Sequence, residues 1–282
     1  MQSREAVAIA ELVIYIPLLI LATYVNIRQG FSRQLGYLYL MIFCILRLGG
    51  AALTIVAVNN PTSKTDAAWA SVLGSIGLSP LLLAEMGMLD RICKSIEGRN
   101  WQVKILRLLH IPAIIGLIVG IVGGTKLQYP DKASTGLDYL KAGSILFLLT
   151  YLGVVAMAVL TLPAFPHFHR SEKAVFAAML AALPFLAVRI LYSLLASFVN
   201  NGSFSITKGN IFVQLGMAII MELFTALFLI AAGLIAEPEK KRQQRQQPAA
   251  NMGGSVVPPG EYEQHGYQKP LGQNNNYAMG TV

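Results

Sequence analysis

The chain has 282 residues, of which 55% are hydrophobic and only 13% are charged, and its formal net charge is +8. Soluble domains carry about 25% charged residues, so this composition excludes a water-soluble globule of the same length. The apolar residues occur in long blocks that are too long for barrel strands and lack their period of two, which predicts an all-α membrane protein.

Seven apolar blocks follow one another along the chain, joined by loops of seven to fourteen residues. Each block is close to the ~20 residues that a helix needs to cross a hydrocarbon core of ~30 Å. We therefore predict a seven-helix transmembrane domain over residues 1–236. The predicted spans are Ala6–Ile27, Leu35–Val58, Ala67–Asp90, Val103–Gly123, Asp138–Leu162, Lys173–Val199 and Asn210–Ala236.

Lysine and arginine are distributed unequally between the two sets of loops. Of the 22 basic residues, fourteen lie on one side, in the loops after helices 1, 3 and 5 or at the adjoining helix ends and in the C-terminal tail, six lie on the opposite side, and two lie deep within helices. Because cytoplasmic loops carry the basic excess, we predict an N-terminus outside the cytoplasm and a C-terminus inside it. The net charge then indicates anionic lipid headgroups as partners and does not require nucleic acid.

The segment of residues 237–282 has a different composition, rich in Gln, Asn, Pro and Gly. It cannot bury enough apolar surface to offset the entropy of ordering, so we predict a disordered cytoplasmic tail. Its basic run Lys240–Arg245 is expected to mark the cytoplasmic side, and a specific lipid or partner site is the less favoured interpretation. On the predicted outer side, Asn201-Gly202-Ser203 is a weak glycosylation sequon close to the membrane.

The charged residues expected at membrane depth are Arg47, Glu85, Arg189 and Glu222 in the inner parts of their helices, and Glu11 nearer the outer end of helix 1. An ionised group at the bilayer centre costs ~3 kcal/mol, so these side chains should face inward and pair, two arginines against two glutamates. Two interpretations stay open. The charges form either a structural ion-pair network or a polar cavity that binds a ligand.

Other polar residues fall near the faces that carry these charges. Ser193 follows Arg189 by four positions in helix 6, Gln214 belongs to the polar face of helix 7, and Tyr151 to that of helix 5. Residues three or four apart share one face of a helix. We therefore expect Tyr151, Ser193 and Gln214 to line the polar interior.

Helix 4 carries Gly116, Gly120 and Gly124 at a spacing of four residues. Such a face of small residues lets another helix approach closely. The pattern favours packing within the molecule, and a homodimer through helix 4 stays as the alternative.

A short pattern occurs in both halves of the chain. Phe43 precedes Arg47 by four residues in helix 2, and Phe185 precedes Arg189 by four in helix 6. If the pattern marks a repeat, helices 1–3 and 5–7 are two parallel triplets joined by helix 4. Parallel repeats of this kind occur in small transporters, whose binding site lies between the halves near the midplane.

Motifs for catalysis are missing from the sequence. It lacks His-Glu-x-x-His, Gly-x-Ser-x-Gly and a phosphate-binding Gly-rich loop, and helix 7 has no lysine that could hold retinal. The pair His167 and His169 lies in one Pro-rich loop and is a weak metal signal. We therefore predict a non-enzymatic protein without a cofactor or a metal site.

Isolated polar residues in the apolar helices also carry a family resemblance. They are the segment Ala8–Pro17, Phe43-x-x-x-Arg47 and Phe185-x-x-x-Arg189-x-x-Tyr192. Together they resemble a family of fungal seven-helix integral membrane proteins with no assigned function, over about residues 1–236. The chain is also similar, more weakly, to fungal lipid-translocating exporters in length, topology and basic tail. It is similar to G-protein-coupled receptors in layout and in Asp90-Arg91 at the end of helix 3.

Three functions follow from these observations. The first is a carrier or lipid translocator for a small solute or lipid, with its site at the buried charges. The second is a receptor or sensor whose Asp90-Arg91 pair, cytoplasmic loops and tail engage a partner. The third is a membrane scaffold in which the charges only stabilise packing. The expected location is the plasma membrane or an endomembrane.

Overall fold

A computed structural model of the chain describes residues 2–30, 35–59, 69–70, 72–73, 76–94, 100–127, 129–199 and 215–237. Within these ranges the chain forms seven α-helices and no strand. The helices are α1 (Gln2–Gln29), α2 (Leu35–Asn59), α3 (Leu78–Cys93), α4 (Asn100–Lys126), α5 (Ala133–Thr161), α6 (Arg170–Phe198) and α7 (Met221–Ile235). Two 3₁₀ segments, Pro130–Lys132 and Leu162–His167, flank α5, and a π-helical segment, Leu215–Ile220, precedes α7.

Six of these helices are long and apolar enough to cross a membrane when α7 is taken together with the π-helical segment before it, and α3 is the exception. The continuous described part of α3 has 16 residues, or about 24 Å of helix at 1.5 Å per residue. Residues 69–70, 72–73 and 76, which precede it, are also helical, and the rest of 67–75 lies outside the described residues. The six spans make the chain an integral, multi-pass membrane protein.

The outer surface of the bundle is apolar. Val13 and Ile27 of α1 and Leu108 of α4 are each more than 60% exposed, and many other large aliphatic side chains share this position. Such exposure would be unfavourable in water, whereas lipid tails are as apolar as these side chains. The surface therefore fits a bilayer as the surrounding solvent.

Helix α3 lies at the centre of the bundle. Fourteen of its 16 residues are buried, and it contacts α2, α4, α5, α6 and α7. A helix that is covered on all sides must pack closely against its neighbours. One such close contact lies between Gly87 of α3 and Gly36 of α2. A Cβ on Gly87 would lie 2.5 Å from the backbone nitrogen and Cα of Gly36, so only glycine fits this contact without a shift of the backbone.

Helices α4 and α5 form a closely packed antiparallel pair. A Cβ on Gly116 would lie 3.1 Å from the ring of Phe147, and a Cβ on Gly123 would lie 2.9 Å from the carbonyl oxygen of Gly136. Gly116 of the predicted face and Gly123 therefore take part in the contact between the two helices. The backbone of Gly120 also lies against α5, since a Cβ on Gly143 would lie 3.5 Å from Gly120 N.

Two glycines of the predicted face have other surroundings. A Cβ on Gly124 would meet Val72 at 3.1 Å, and a Cβ on Gly120 would meet nothing within 4 Å. A side chain at Gly120 would therefore point into open space, and one at Gly124 would point toward Val72.

One end of the bundle is joined by Arg91, near the C-terminus of α3. Its guanidinium donates to Gln29 Oε1 at 3.1 Å, to the Tyr37 hydroxyl at 3.3 Å and to the Glu237 carbonyl at 2.7 Å. Gln29 in turn donates to the carbonyls of Gly233 and Ala236, at 2.9 and 3.0 Å. This Arg91 junction joins the ends of α1, α3 and α7 to the start of α2, and it satisfies carbonyls that the C-terminus of α7 leaves free.

The helices extend beyond the apolar blocks that predicted them. α1 begins at Gln2, four residues before the predicted start, and α5 begins at Ala133, five residues before it. A helix continues where side chains leave the hydrocarbon region because its backbone hydrogen bonds do not depend on apolar side chains. At its other end α1 is followed by Gly30, whose φ of 94° is the left-handed conformation that often follows a helix.

Candidate functional site

Four charged side chains from four helices meet inside the bundle: Glu11 of α1, Arg47 of α2, Arg189 of α6 and Glu222 of α7. Glu222 is at the centre, since one carboxylate oxygen pairs with Arg47 Nη2 and the other accepts from Arg189 Nε. Arg47 Nη1 also lies 3.5 Å from Glu11 Oε1. We call these four residues the charge cluster.

The charge cluster is neutral in its formal charges and deeply buried. Glu222 is 0% exposed, and the side chains of Arg47 and Arg189 are each 5% exposed. Burial of a charge is tolerated only when the charge is paired, and here each guanidinium faces a carboxylate. Glu11 is held most weakly, because its side chain is 11% exposed and its single contact is the longest of the cluster.

Aromatic rings lie against both guanidinium groups. The Arg47 guanidinium lies 6.0 Å from the Phe43 ring centroid, and that of Arg189 lies 5.7 Å from the Tyr192 centroid. Tyr15 packs edge-on against Phe43 at 5.7 Å, and its buried hydroxyl has no hydrogen-bond partner among the described residues. Ring faces attract cations, so this lining partly replaces the water that the guanidinium groups lose.

Gly77, just before α3, closes another side of the charge cluster. A Cβ at this position would lie 3.1 Å from Glu222 Oε2, 3.2 Å from Arg47 Nε and 3.3 Å from Phe43 Cε2. No motif in the sequence points to this glycine. Its position between the predicted charges of other helices becomes visible only when the helices are packed.

Glu85 lies apart from the charge cluster, in contrast to the predicted pairing of Arg47 and Arg189 with Glu85 and Glu222. The carboxyl of Glu85 is 0% exposed, and neither oxygen has a hydrogen-bond partner among the described residues. Glu11 contacts Arg47 instead. Glu11 takes the role predicted for Glu85 because the rotation of each helix about its axis decides which side chains meet. The sequence does not define this rotation.

The predicted polar lining divides between two places. Ser193 of α6 lies in a serine cluster with Ser197 and with Ser144 of α5, where Ser144 shares a hydrogen bond of 3.0 Å with Ser197 and lies 3.5 Å from the Ser193 hydroxyl. Tyr151 of α5 donates to the Leu183 carbonyl of α6 at 3.1 Å. Both sets join α5 to α6, and in the described part of the chain neither is hydrogen-bonded to the charge cluster.

Several predicted features fall outside the described residues. They are Gln214, the sequon at Asn201 and most of the tail that begins at residue 237. Among the residues that the structure describes, no three His, Cys, Asp or Glu side chains are grouped so that they could hold a metal ion.

Asp90 and Arg91 have separate partners within the bundle. Asp90 pairs with Lys94 one turn further along, and Arg91 is 6% exposed within the Arg91 junction. A receptor would need this pair to face a cytoplasmic partner. The contacts of Arg91 show that its guanidinium serves the packing of helix ends.

The two halves of the predicted repeat differ in their contacts. Phe43 lies beneath Arg47 in the charge cluster, whereas Phe185 stacks on Phe224 and Phe228 at 5.3 and 5.6 Å. Both arginines also share Glu222, and no second pair of the same kind involves Glu85 among the described residues. The two Phe-x-x-x-Arg segments are thus alike in sequence, but their side chains have different contacts.

The fold and the charge cluster define an integral membrane protein with a polar centre inside an apolar helical bundle. A family model described as a domain of unknown function, DUF7702, matches residues 1–239, and the chain belongs to this family. No curated protein and no solved structure matches the chain. The family is consistent with the expected resemblance to proteins without an assigned function, while fungal origin and likeness to exporters or receptors stay predictions.

Proposed function

We propose that the protein is a membrane carrier for a charged small solute or a lipid headgroup, and that the charge cluster is its binding site. The observation that supports this proposal is the meeting of both signs of charge, from α1, α2, α6 and α7, at one buried position. Charged residues within a membrane commonly mark substrate pathways. Helices from both ends of the chain contribute, so movement between them would open or close the site.

The chemistry of the charge cluster suggests how a ligand would enter. Arg47 contacts two carboxylates, and the contact with Glu11 is the longer and the more exposed of the two. A carboxylate or phosphate group of a ligand could replace Glu11 at Arg47 without separating Glu222 from either arginine. Guanidinium groups suit these anions because their N–H groups match two acceptor oxygens.

The proposal includes seven spans, with α3 as the seventh, an N-terminus outside the cytoplasm and a C-terminus within it. Support comes from the Arg91 junction, where α1, α3 and α7 end together and α2 begins. That arrangement is expected when successive helices cross in alternating directions. We further propose a plasma-membrane or endomembrane location, anionic headgroups at the basic cytoplasmic side and no enzymatic activity.

A membrane scaffold is the second candidate, and one observation favours it. Both carboxylate oxygens of Glu222 are already paired with arginines, which is the arrangement expected of a closed structural network. Such a scaffold would assemble through α4, where Gly120 has open space beside it. A homodimer through α4 therefore stays a proposal that belongs to this second candidate.

A ligand screen separates the two candidates. The full chain in detergent is tested for thermal stabilisation by carboxylates, amino acids, phosphorylated solutes and phospholipids, and a ligand at 100 times its dissociation constant should stabilise by ~2.7 kcal/mol. The matched control is Glu11→Gln with Arg47→Gln, which removes one charge of each sign and keeps the pair of Arg189 and Glu222. Stabilisation in the natural chain that is lost in the folded control supports the carrier. Equal stabilisation of both, or of neither, supports the scaffold.

A further inference from the structure

Glu85 is a buried carboxyl group that the charge cluster does not use. It lies in the middle of α3, is 0% exposed, and has no hydrogen-bond partner for either oxygen among the described residues. An isolated ionised carboxylate in an apolar interior is so unfavourable that such a group takes up a proton instead. Glu85 could stay ionised only if a neighbouring group compensated its negative charge.

The group of α5 that lies near Glu85 is the phenol of Tyr151, which is not a cation. Tyr151 lies within electrostatic range of Glu85, but its hydroxyl proton is given to the Leu183 carbonyl of α6 at 3.1 Å. On α3 itself, Arg91 follows Glu85 by six positions and donates to the ends of α1, α2 and α7.

The charged groups of the other neighbouring helices are engaged elsewhere. Arg47 of α2 and Arg189 of α6 both pair with Glu222 of α7. On α4, His110 is hydrogen-bonded through Nδ1 to a carbonyl of its own helix at 2.8 Å. Each described cation of these helices that lies inside the bundle thus has its own partner, and Glu85 has no hydrogen-bond partner among the described residues.

We propose that Glu85 is a proton-binding site, separate from the charge cluster, whose carboxyl holds its proton in the resting bundle. Its ligand is a proton, and release of that proton requires that water or a cation reach the middle of α3. Because α3 contacts five other helices, a movement that separates them would supply this access. The inference does not depend on the carrier proposal, although a carrier could use such a group to couple solute movement to protons.

Infrared spectroscopy of the full chain in detergent tests the proposal without any ligand. The chain has 14 Asp and Glu side chains, and at pH 7 solvated carboxyls are ionised. The natural chain should show the carbonyl-stretch band of a protonated carboxyl at pH 7, and Glu85→Gln should abolish it. The matched control Glu11→Gln should leave the band unchanged. A natural chain without the band, or a band that survives in Glu85→Gln, would overturn the proposal.

Thermal stability gives an independent readout. Glutamine has nearly the shape of a protonated glutamate and no charge, so Glu85→Gln should unfold within about 2 °C of the natural chain, a shift of under 1 kcal/mol at this size. If Glu85 were ionised and paired, its replacement would leave a buried partner without its counter-charge. A large decrease in unfolding temperature, or failure to fold, would therefore also contradict the proposal.

Discussion

Glu222 is the residue on which the polar interior depends most directly. Its carboxylate is the shared partner of Arg47 and Arg189, from two different helices. At 0% exposure it has no water to replace either contact. A single carboxylate therefore contacts two buried cations, and Glu11 supplies the second negative charge from the edge of the charge cluster.

Replacement of Glu222 should be among the most destabilising single changes in the chain. Glu222→Gln leaves two buried guanidinium groups without their counter-charge, and we expect a loss of about 3–5 kcal/mol in the free energy of unfolding. Glu11→Gln is the control and should cost clearly less, because its contact is longer and partly exposed. Thermal unfolding of both variants in the same detergent measures the difference, and equal losses would contradict a central role for Glu222.

The need for pairing could be predicted from the sequence, whereas the choice of partners could not. Two arginines within apolar helices require acidic partners because lipid cannot solvate them. Such reasoning allows either Glu85 or Glu11 as the second acidic partner. Helix rotation and depth, which follow from the packing of all the apolar side chains together, bring Glu11 to Arg47 and leave Glu85 apart.

At the scale of elements, the contact of Gly36 with Gly87 fixes how closely α2 and α3 approach. Gly87→Ala would place a methyl group 2.5 Å from the backbone of Gly36, and we expect a loss of about 1–3 kcal/mol. Gly120→Ala is the matched control, since its methyl group would meet nothing within 4 Å. That change should be neutral or stabilise by up to about 1 kcal/mol through helix propensity. Equal effects in thermal unfolding would contradict the assigned packing.

The Arg91 junction makes a second prediction about elements. Arg91→Met removes a buried guanidinium that contacts three helix ends, and we expect a loss of at least about 2 kcal/mol, since hydrogen bonds to charged groups are worth about 1.5–3 kcal/mol each. Arg28→Met is the control, because Arg28 is exposed and donates to one carbonyl of α7. Its loss should stay below about 1 kcal/mol. A chemical-unfolding series in mixed micelles would show whether the two arginines differ as stated.

The apolar blocks predicted the identity of the helices, and packing decided their lengths and contacts. Six predicted blocks coincide with the six helices that can cross a membrane. The block Ala67–Asp90 corresponds to α3, which ends at Cys93. Its central position could not be predicted, because a buried helix and a lipid-facing helix are both apolar in sequence.

For the molecule as a whole, composition was sufficient to predict a multi-pass membrane protein. The orientation follows from the basic residues and stays a prediction. A reporter protein that is active only in the cytoplasm should work when fused to the C-terminus and should fail when fused to the N-terminus. The opposite pattern, or activity at both ends, would contradict the proposed N-out, C-in topology with seven spans.

Efflux from sealed vesicles tests whether the charge cluster binds a transported solute. Vesicles are loaded with a mixture of amino acids, carboxylates and phosphorylated solutes, and the retained solutes are measured by mass spectrometry. We predict that vesicles with the natural chain lose one class of charged solute, and that vesicles with folded Glu11→Gln, Arg47→Gln protein retain it. If the natural chain and the variant retain the mixture equally well, the charge cluster is a packing element and the carrier proposal is wrong.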